Sequence, residues 1–304
     1  MTHPFPSTRQ ISLAAPRGRA QRAVSPDRLA LRRFFRNRAS VVGLCFLFLV
    51  VVVVALAPVI AQHDPNAVDL MAIRKGPSAE HWLGTDSTGR DVFSRLLYGG
   101  QISLMVGFFS AILAVLLGTV IGTLAGWFQG PVDVVLSRCI DVMLSVPPVL
   151  VIIVLAGVVG PDVKMLILII AGLSWPGSAR IARSVVLSLR GQEYVEAARV
   201  LGSSTGFILR RHLIPGVLPQ ITVAATLLVS EAILLEAALS FLGAGVRPPQ
   251  ASWGNMLTEA QSITVLSSMP WLWIPAGLVI AVTVLSAMAV GDGLRDALDP
   301  KKNL

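Results

Sequence analysis

Residues 39–61 carry no charged side chain, and neither do residues 101–128. A hydrocarbon core about 30 Å thick is crossed by about 20 apolar residues in a helix, so runs of this length read as membrane spans. Four more segments qualify: 141–159, which contains Pro147-Pro148; the short 164–181; 216–243, interrupted by Glu231 and Glu236; and 271–289. Composition agrees, with 54% hydrophobic and 14% charged residues where soluble domains carry roughly 25% charged. The expected fold is therefore an all-α integral membrane protein with six transmembrane helices. Within the second span Gly118, Gly122 and Gly126 recur at spacing four, a face on which another helix can pack closely. Pro147-Pro148 removes ladder hydrogen bonds and should kink the third span or break its end.

Six spans place both termini on one side, and the basic residues choose which. Segments 1–38, 127–140, 180–215 and 290–304 hold 19 of the 25 Lys and Arg. Because these residues resist translocation, the topology expected is N-in/C-in. The net charge of +8 is thus topological, and no aromatic-lined basic face points to nucleic acid. The first apolar run is read as a retained anchor rather than a cleaved leader, since the residues ahead of it are too many for an ordinary signal n-region. Cys45 and Cys139 offer neither a disulfide framework nor a metal cluster and read as packing residues.

The domain reading follows. Residues 1–24, rich in Arg, Pro, Ser and Ala, form a disordered cytoplasmic tail. Residues 25–38 form an amphipathic interfacial helix, with Ser25 as cap, Pro26 at its first position, and Leu31, Phe34 and Phe35 set among arginines. Residues 39–61 are the first span and 62–100 an extracytoplasmic loop. Residues 101–291 form the five-span core with a cytoplasmic coupling segment at 190–215, and 292–304 a cytoplasmic tail. In the loop, Asp86, Ser87 and Asp91 lack the spacing of a calcium-binding hand. They read instead as a turn into an interfacial helix carrying Val92, Phe93 and Leu96 on the outer membrane surface. Trp253, Trp271 and Trp273 are expected at headgroup level.

Chemistry is sparse. Lys75, Lys164, Lys301 and Lys302 are the only lysines, and none ends a Gly-rich phosphate loop. None of His3, His63, His81 or His212 lies in a span, which removes the base an intramembrane serine protease needs. No catalytic residue, no metal site and no cofactor bound by this chain is expected. The polar positions that require explanation are Glu231 and Glu236, because ionised groups at mid-bilayer are expensive. Five residues apart, they lie roughly 140° apart around a helix and should not share one partner. They read either as a polar path or relay, or as hydrogen-bonded packing between spans or between subunits; no second set of acids or basic partners in the spans completes a relay, which favours packing.

The segment Glu196-Ala197-Ala198-Arg199-Val200-Leu201-Gly202, followed by Ser203-Ser204 and His212-Leu213-Ile214-Pro215, is a polar, helix-forming insert between two apolar runs. Tyr194, Ala198 and Leu201 fall on one stripe, with Glu196 and Arg199 on other faces. Ala197 and Ala198 allow close approach of a partner, and Gly202 can end the helix in a left-handed conformation. A second short helix is expected over 204–213, stopped before Pro215. Such a hairpin is equally compatible with a docking knob and with an ordinary connecting loop.

Glu-Ala-Ala, three residues, Gly and then a hydrophobic-Pro pair resembles the cytoplasmic loop of ABC importer permeases. Ile214-Pro215 stands where Leu-Pro is common, and His212 where an Ile is frequent. Further residues extend the resemblance to the dipeptide/oligopeptide/nickel permease family, in the branch of its second, shorter-looped subunit. They are Gly84-Thr85-Asp86 with Gly89-Arg90-Asp91, Leu239-Ser240-Phe241-Leu242-Gly243, Pro248-Pro249 with Trp253-Gly254, and the run from Gly291-Asp292-Gly293-Leu294-Arg295 to Asp299-Pro300. The resemblance implies the type I importer architecture in a prokaryotic cytoplasmic membrane. It implies a second homologous permease subunit, two ATPase subunits or domains that hold ATP and Mg, and an extracytoplasmic binding protein. It assigns ATPase coupling to Tyr194, Glu196, Ala197, Ala198, Leu201 and Gly202, and peptides as the solute. Nickel or another small solute is the alternative within that class, and a secondary transporter the rival from another.

Overall fold

A computed structural model describes residues 26–159 and 162–298; the tail read at 1–24, the cap at Ser25 and the chain beyond 298 lie outside them. Among the described residues the regular structure is helical, joined by loops, apart from one isolated bridge between Thr85 and Asp91. In order the helices are α1 (Pro26–Arg36), α2 (Arg38–Ala55), the short α3 (Ala57–Ile60), α4 (Val92–Phe128), α5 (Gly130–Ser145), α6 (Pro148–Val159) and α7 (Val163–Arg190). There follow α8 (Glu193–Val200), α9 (Thr205–Ile208), α10 (Ile214–Phe241), the short α11 (Trp253–Met256) and α12 (Ile263–Ser268), and α13 (Ile274–Leu298). Among the described residues five helical stretches are long and apolar enough to cross a membrane, and a sixth exists if the bent pair α5–α6 counts as one span.

Helix α1 begins at Pro26 and rests on α13, where Phe34 is buried with Val290 and Ala297. Leu31 and Phe35 stay exposed. Asn37 separates α1 from α2 and accepts from the Ala39 and Ser40 N–H groups, supplying orphan donors at the start of α2. Ser40 then donates to the Ala289 carbonyl of α13 at 2.8 Å, and Gly43 lies against Ser286 of the same helix.

Helices α4 and α7 form the most intimate pair. Side chains added at Gly118, Gly122 and Gly126 would strike Ser178, Ala179 and Val186, so the glycine row is the contact itself. Ser178 donates its hydroxyl to the Ala114 carbonyl at 3.2 Å, crossing the seam. At about 1.5 Å per residue α4 is long enough to pass right through a bilayer and beyond. It starts at Val92 rather than at 101, because the stretch read as a separate interfacial helix is its first turns. Val92 is buried with Met256, Leu272 and Ala276, and so faces protein rather than headgroups. Trp253 is likewise no belt residue: it is 1% exposed, and its indole N–H donates to the Leu96 carbonyl at 2.9 Å.

The segment read as a connection at 127–140 is mostly helix. A sharp reversal at Gln129 and Gly130, both at positive φ, turns α4 into α5. Arg183 of α7 holds α5 through a bidentate pair to Asp133 at 2.6 and 2.7 Å. The third span breaks at Val146-Pro147, and α5 and α6 meet at 84°. Cys45 and Cys139 are free and exposed, so neither packs a core as expected.

Candidate docking hairpin and buried polar sites

Helix α8 sits beside the C-terminal ends of α4 and α7, at the opposite end of the bundle from Asp91. Its anchor is Val195, which is 0% exposed and packs with Trp127, Val186, Ile208, Leu213 and Val217. Ala198, one turn on, leans on the same cluster. The stripe expected from Tyr194, Ala198 and Leu201 is therefore divided: Ala198 turns inward, whereas Tyr194 and Leu201 face out. Trp127 also carries two guanidinium groups, Arg199 at 5.0 Å and Arg190 at 5.8 Å from its ring centroid. Such contacts contribute roughly 0.5–2 kcal/mol each, and they tie the hairpin to α4 from both of its flanks.

The helix closes as Gly202 permits. With φ at +81°, Gly202 donates to the Arg199 carbonyl and Ser203 to that of Ala198, both at 3.0 Å. These two bonds form the Schellman closure that satisfies the last carbonyls. What remains outward is Glu193, Tyr194, Glu196, Ala197 and the apolar pair Val200 and Leu201, 86% and 84% exposed. Phe207 lies beside them, also exposed, with its ring 6.0 Å from that of His212. Apolar side chains this bare on a rigidly seated helix form a surface shaped to be covered.

The second helix of the hairpin is not stopped before Pro215. Ser204 caps α9 by accepting from the Phe207 N–H, and residues Leu209–Leu213 continue as a π-turn in which Ile214 donates to the Leu209 carbonyl. The widened turn absorbs Pro215, which has no N–H to give, and α10 follows without interruption. The hairpin is thereby joined to α10 by continuous helix.

Glu231 and Glu236, both on α10, part company as their spacing demands. Glu231 is exposed on the isolated chain, whereas Glu236 is 0% exposed. Ser103 of α4 donates to Glu236 Oε2 at 2.8 Å and Ser240 to Oε1 at 2.7 Å. Ser103 Oγ in turn accepts the Trp253 N–H at 3.1 Å. The carboxyl is thus the centre of a network joining α4, α10 and α11, as packing between helices requires.

At the other end of the bundle the Gly84-to-Asp91 stretch is a turn organised by Asp86. Its Oδ1 accepts from the Thr88 and Arg90 N–H groups and the Thr88 hydroxyl, and Oδ2 from Arg90 Nε at 2.7 Å. Burial alone would raise the Asp86 carboxyl, but these donors and the Arg90 charge together hold it below its ordinary value. Arg95 completes the turn, with its Nε 3.5 Å from Asp86 and Nη1 donating to the Pro65 carbonyl at 3.1 Å. Asp91 caps α4 by accepting the Ser94 N–H at 2.7 Å and lies 3.0 Å from His81 Nδ1. The two imidazoles of His63 and His81 lie beside it with centroids 4.7 Å apart and planes tilted by 37°.

Comparison with known proteins places this architecture. The sequence model described as the binding-protein-dependent transport system inner membrane component matches residues 118–304. The chain belongs to this family of transport permeases. The N-terminal transmembrane domain of oligopeptide transport permease C matches residues 25–77. A protein of Brucella suis biovar 1 named as a peptide permease is 42% identical over 282 residues, which is 93% of each chain. The dipeptide transport system permease protein of Alkalihalophilus pseudofirmus is 39% identical over 279 residues, 92% of this chain and 91% of its own. Members of the family are membrane permeases of transporters rather than enzymes, and this permease has the several apolar helices of a multi-pass membrane protein.

Proposed function

We propose that this chain is one of two permease subunits of an ATP-binding-cassette importer that moves di- or oligopeptides across a prokaryotic cytoplasmic membrane. The observation that carries the reading is the 190–215 hairpin: its inner side is fixed by Val195 and Trp127, and its outer side bares Tyr194, Val200, Leu201 and Phe207. A rigid knob of this kind fits a groove on an ATPase subunit. Glu196, Ala197 and Gly202 share the bare face, and Ala198 backs it. With α5–α6 counted as one broken span there are six crossings, and the basic residues favour N-in/C-in, which puts the hairpin in the cytoplasm beside the ATPases. The exposed apolar residues of α5 and α6, among them Val135, Val142, Leu150 and Val154, suit the second permease subunit and lipid. Peptides are favoured as solute by the names of the relatives, and an extracytoplasmic binding protein would deliver them. ATP and Mg belong to the partner subunits, where nucleotide must favour one permease arrangement over the other to drive transport.

Gly202→Asp tests the docking face. The added Cβ meets nothing within 4 Å, so the fold need absorb only the left-handed backbone, about 1–2 kcal/mol. The expected result is a chain that inserts normally but no longer co-purifies with co-expressed ATPase subunits of the importer. An intact complex with full transport would overturn the docking assignment.

A further inference from the structure

We propose that His63, His81 and Asp91 form a binding site for a single divalent transition ion of the zinc type, separate from whatever solute the permease carries. Eighteen and ten residues separate the three in the chain, yet each offers a ligand atom and all these atoms lie within 4.8 Å of one another. Two imidazoles and one carboxylate are the donor set of a three-residue Zn²⁺ site that leaves a fourth position for water. The imidazoles favour ions of this class over Mg²⁺ or Ca²⁺, which take oxygen ligands.

The surroundings hold each ligand in place. The Glu80 carbonyl can only accept, so His63 Nε2 at 3.0 Å must carry the proton, and the free lone pair of that ring is on Nδ1. An outer-shell carbonyl that fixes the tautomer in this way is a regular feature of metal-binding histidines. The His63 N–H donates to Ser94 Oγ at 3.3 Å, and the His81 N–H to Ser78 Oγ at 3.0 Å. Asp91 Oδ2 takes the Ser94 N–H and Oδ1 accepts from His81 Nδ1 at 3.0 Å, so an ion that takes this nitrogen and oxygen displaces the proton between them. His81 and Asp91 are buried while His63 is half-buried, so an ion enters from the His63 side. Ligand atoms sharing a tetrahedral Zn²⁺ stand about 3.4 Å apart, and the less confined His63 ring is the one free to close the remaining gap. The ion would staple the chain leaving α3 to the first turn of α4. On the orientation proposed above, that clamp faces the extracytoplasmic side.

The test uses the full-length chain in detergent micelles, stripped with EDTA, carrying no polyhistidine tag and titrated with ZnCl₂ by calorimetry. The expected result is one saturable equivalent of Zn²⁺, with affinity weakened at least ~10-fold by His63→Ala, the loss that even an outer-shell partner costs. His3→Ala with His212→Ala should leave the titration unchanged, these being the other two histidines of the chain. His81 supports the Asp91 cap, so the half-buried His63 carries the mutational test. Zinc-edge absorption on the wild-type complex supplies the second measurement and should show scattering from two imidazoles. Absence of a saturable site, an unchanged titration in His63→Ala, or an absorption spectrum without imidazole would each overturn the proposal. Since no transport is measured, the result is independent of the importer reading.

Discussion

Val195→Asp should reduce ATP-driven uptake by the assembled importer at least tenfold while leaving insertion of the chain intact. Val195 is fully buried where α8 meets the ends of α4, α7 and α10. Removing it forfeits roughly 1.5–3 kcal/mol of apolar burial. The aspartate enters a cluster of Val, Ile, Leu, Ala and Trp side chains where the nearby Arg190 and Arg199 are held over Trp127, so the helix must lift off or give up those ring contacts to bury a charge in an apolar site. Either outcome unseats the knob without touching its outer face. Hydrogen exchange over 193–213 is the direct check: protection should fall there and persist in α4 and α7. Wild-type uptake with unchanged exchange would show that the hairpin does not transmit force through this anchor. The experiment is distinct from Gly202→Asp, which alters the face offered to the partner and leaves the anchor alone.

Gly122→Leu should prevent the chain from folding at all. A Cβ at Gly122 would meet the Ala179 carbonyl and the Ala182 methyl, and a backbone carbonyl cannot swing aside as a side chain can. Overpacking a well-fitted contact costs about 1–3 kcal/mol even where side chains can adjust. Here two long helices would have to separate along a seam that also contains Gly118 and Gly126. The contrast is Gly172→Leu on α7, where nothing lies within 4 Å of the added Cβ. Size-exclusion profiles in detergent should show a monodisperse peak for Gly172→Leu and aggregation for Gly122→Leu. Equal profiles would mean that α4 and α7 do not pack through the glycine row.

Long-range order came through the sequence wherever one physical rule dominated. Charge-free runs marked the apolar helices, spacing of four marked the glycine face, and Pro147-Pro148 marked the break that the structure places at Val146-Pro147. Gly202 was legible as a helix stop because a left-handed closure has few other candidates. Positions whose role depends on distant partners were not. Val92, Phe93 and Leu96 made the first turns of α4 look interfacial, yet Arg95 among them is held inside the protein by Asp86 and the carbonyls of Pro65 and Pro249. An eight-residue helix has too few turns to reveal its buried face, so Tyr194 and Leu201 could not be told from Val195 until Trp127 was seen beneath it. Trp253 gave an amphipathic-belt signal, and only the Leu96 carbonyl explains why it is buried instead. The His63, His81 and Asp91 grouping has no sequence signature, because the loop between α3 and α4 must fold before the three meet.

The central claim is that this chain moves solute only as part of an ATP-driven complex. It is tested most directly by peptide uptake into proteoliposomes containing the chain alone, or the chain with the second permease, the ATPase subunits and the binding protein. The account predicts no uptake by the chain alone under any ion gradient, and uptake by the complex that requires ATP. Gradient-driven uptake by the chain alone would contradict it and identify a secondary transporter.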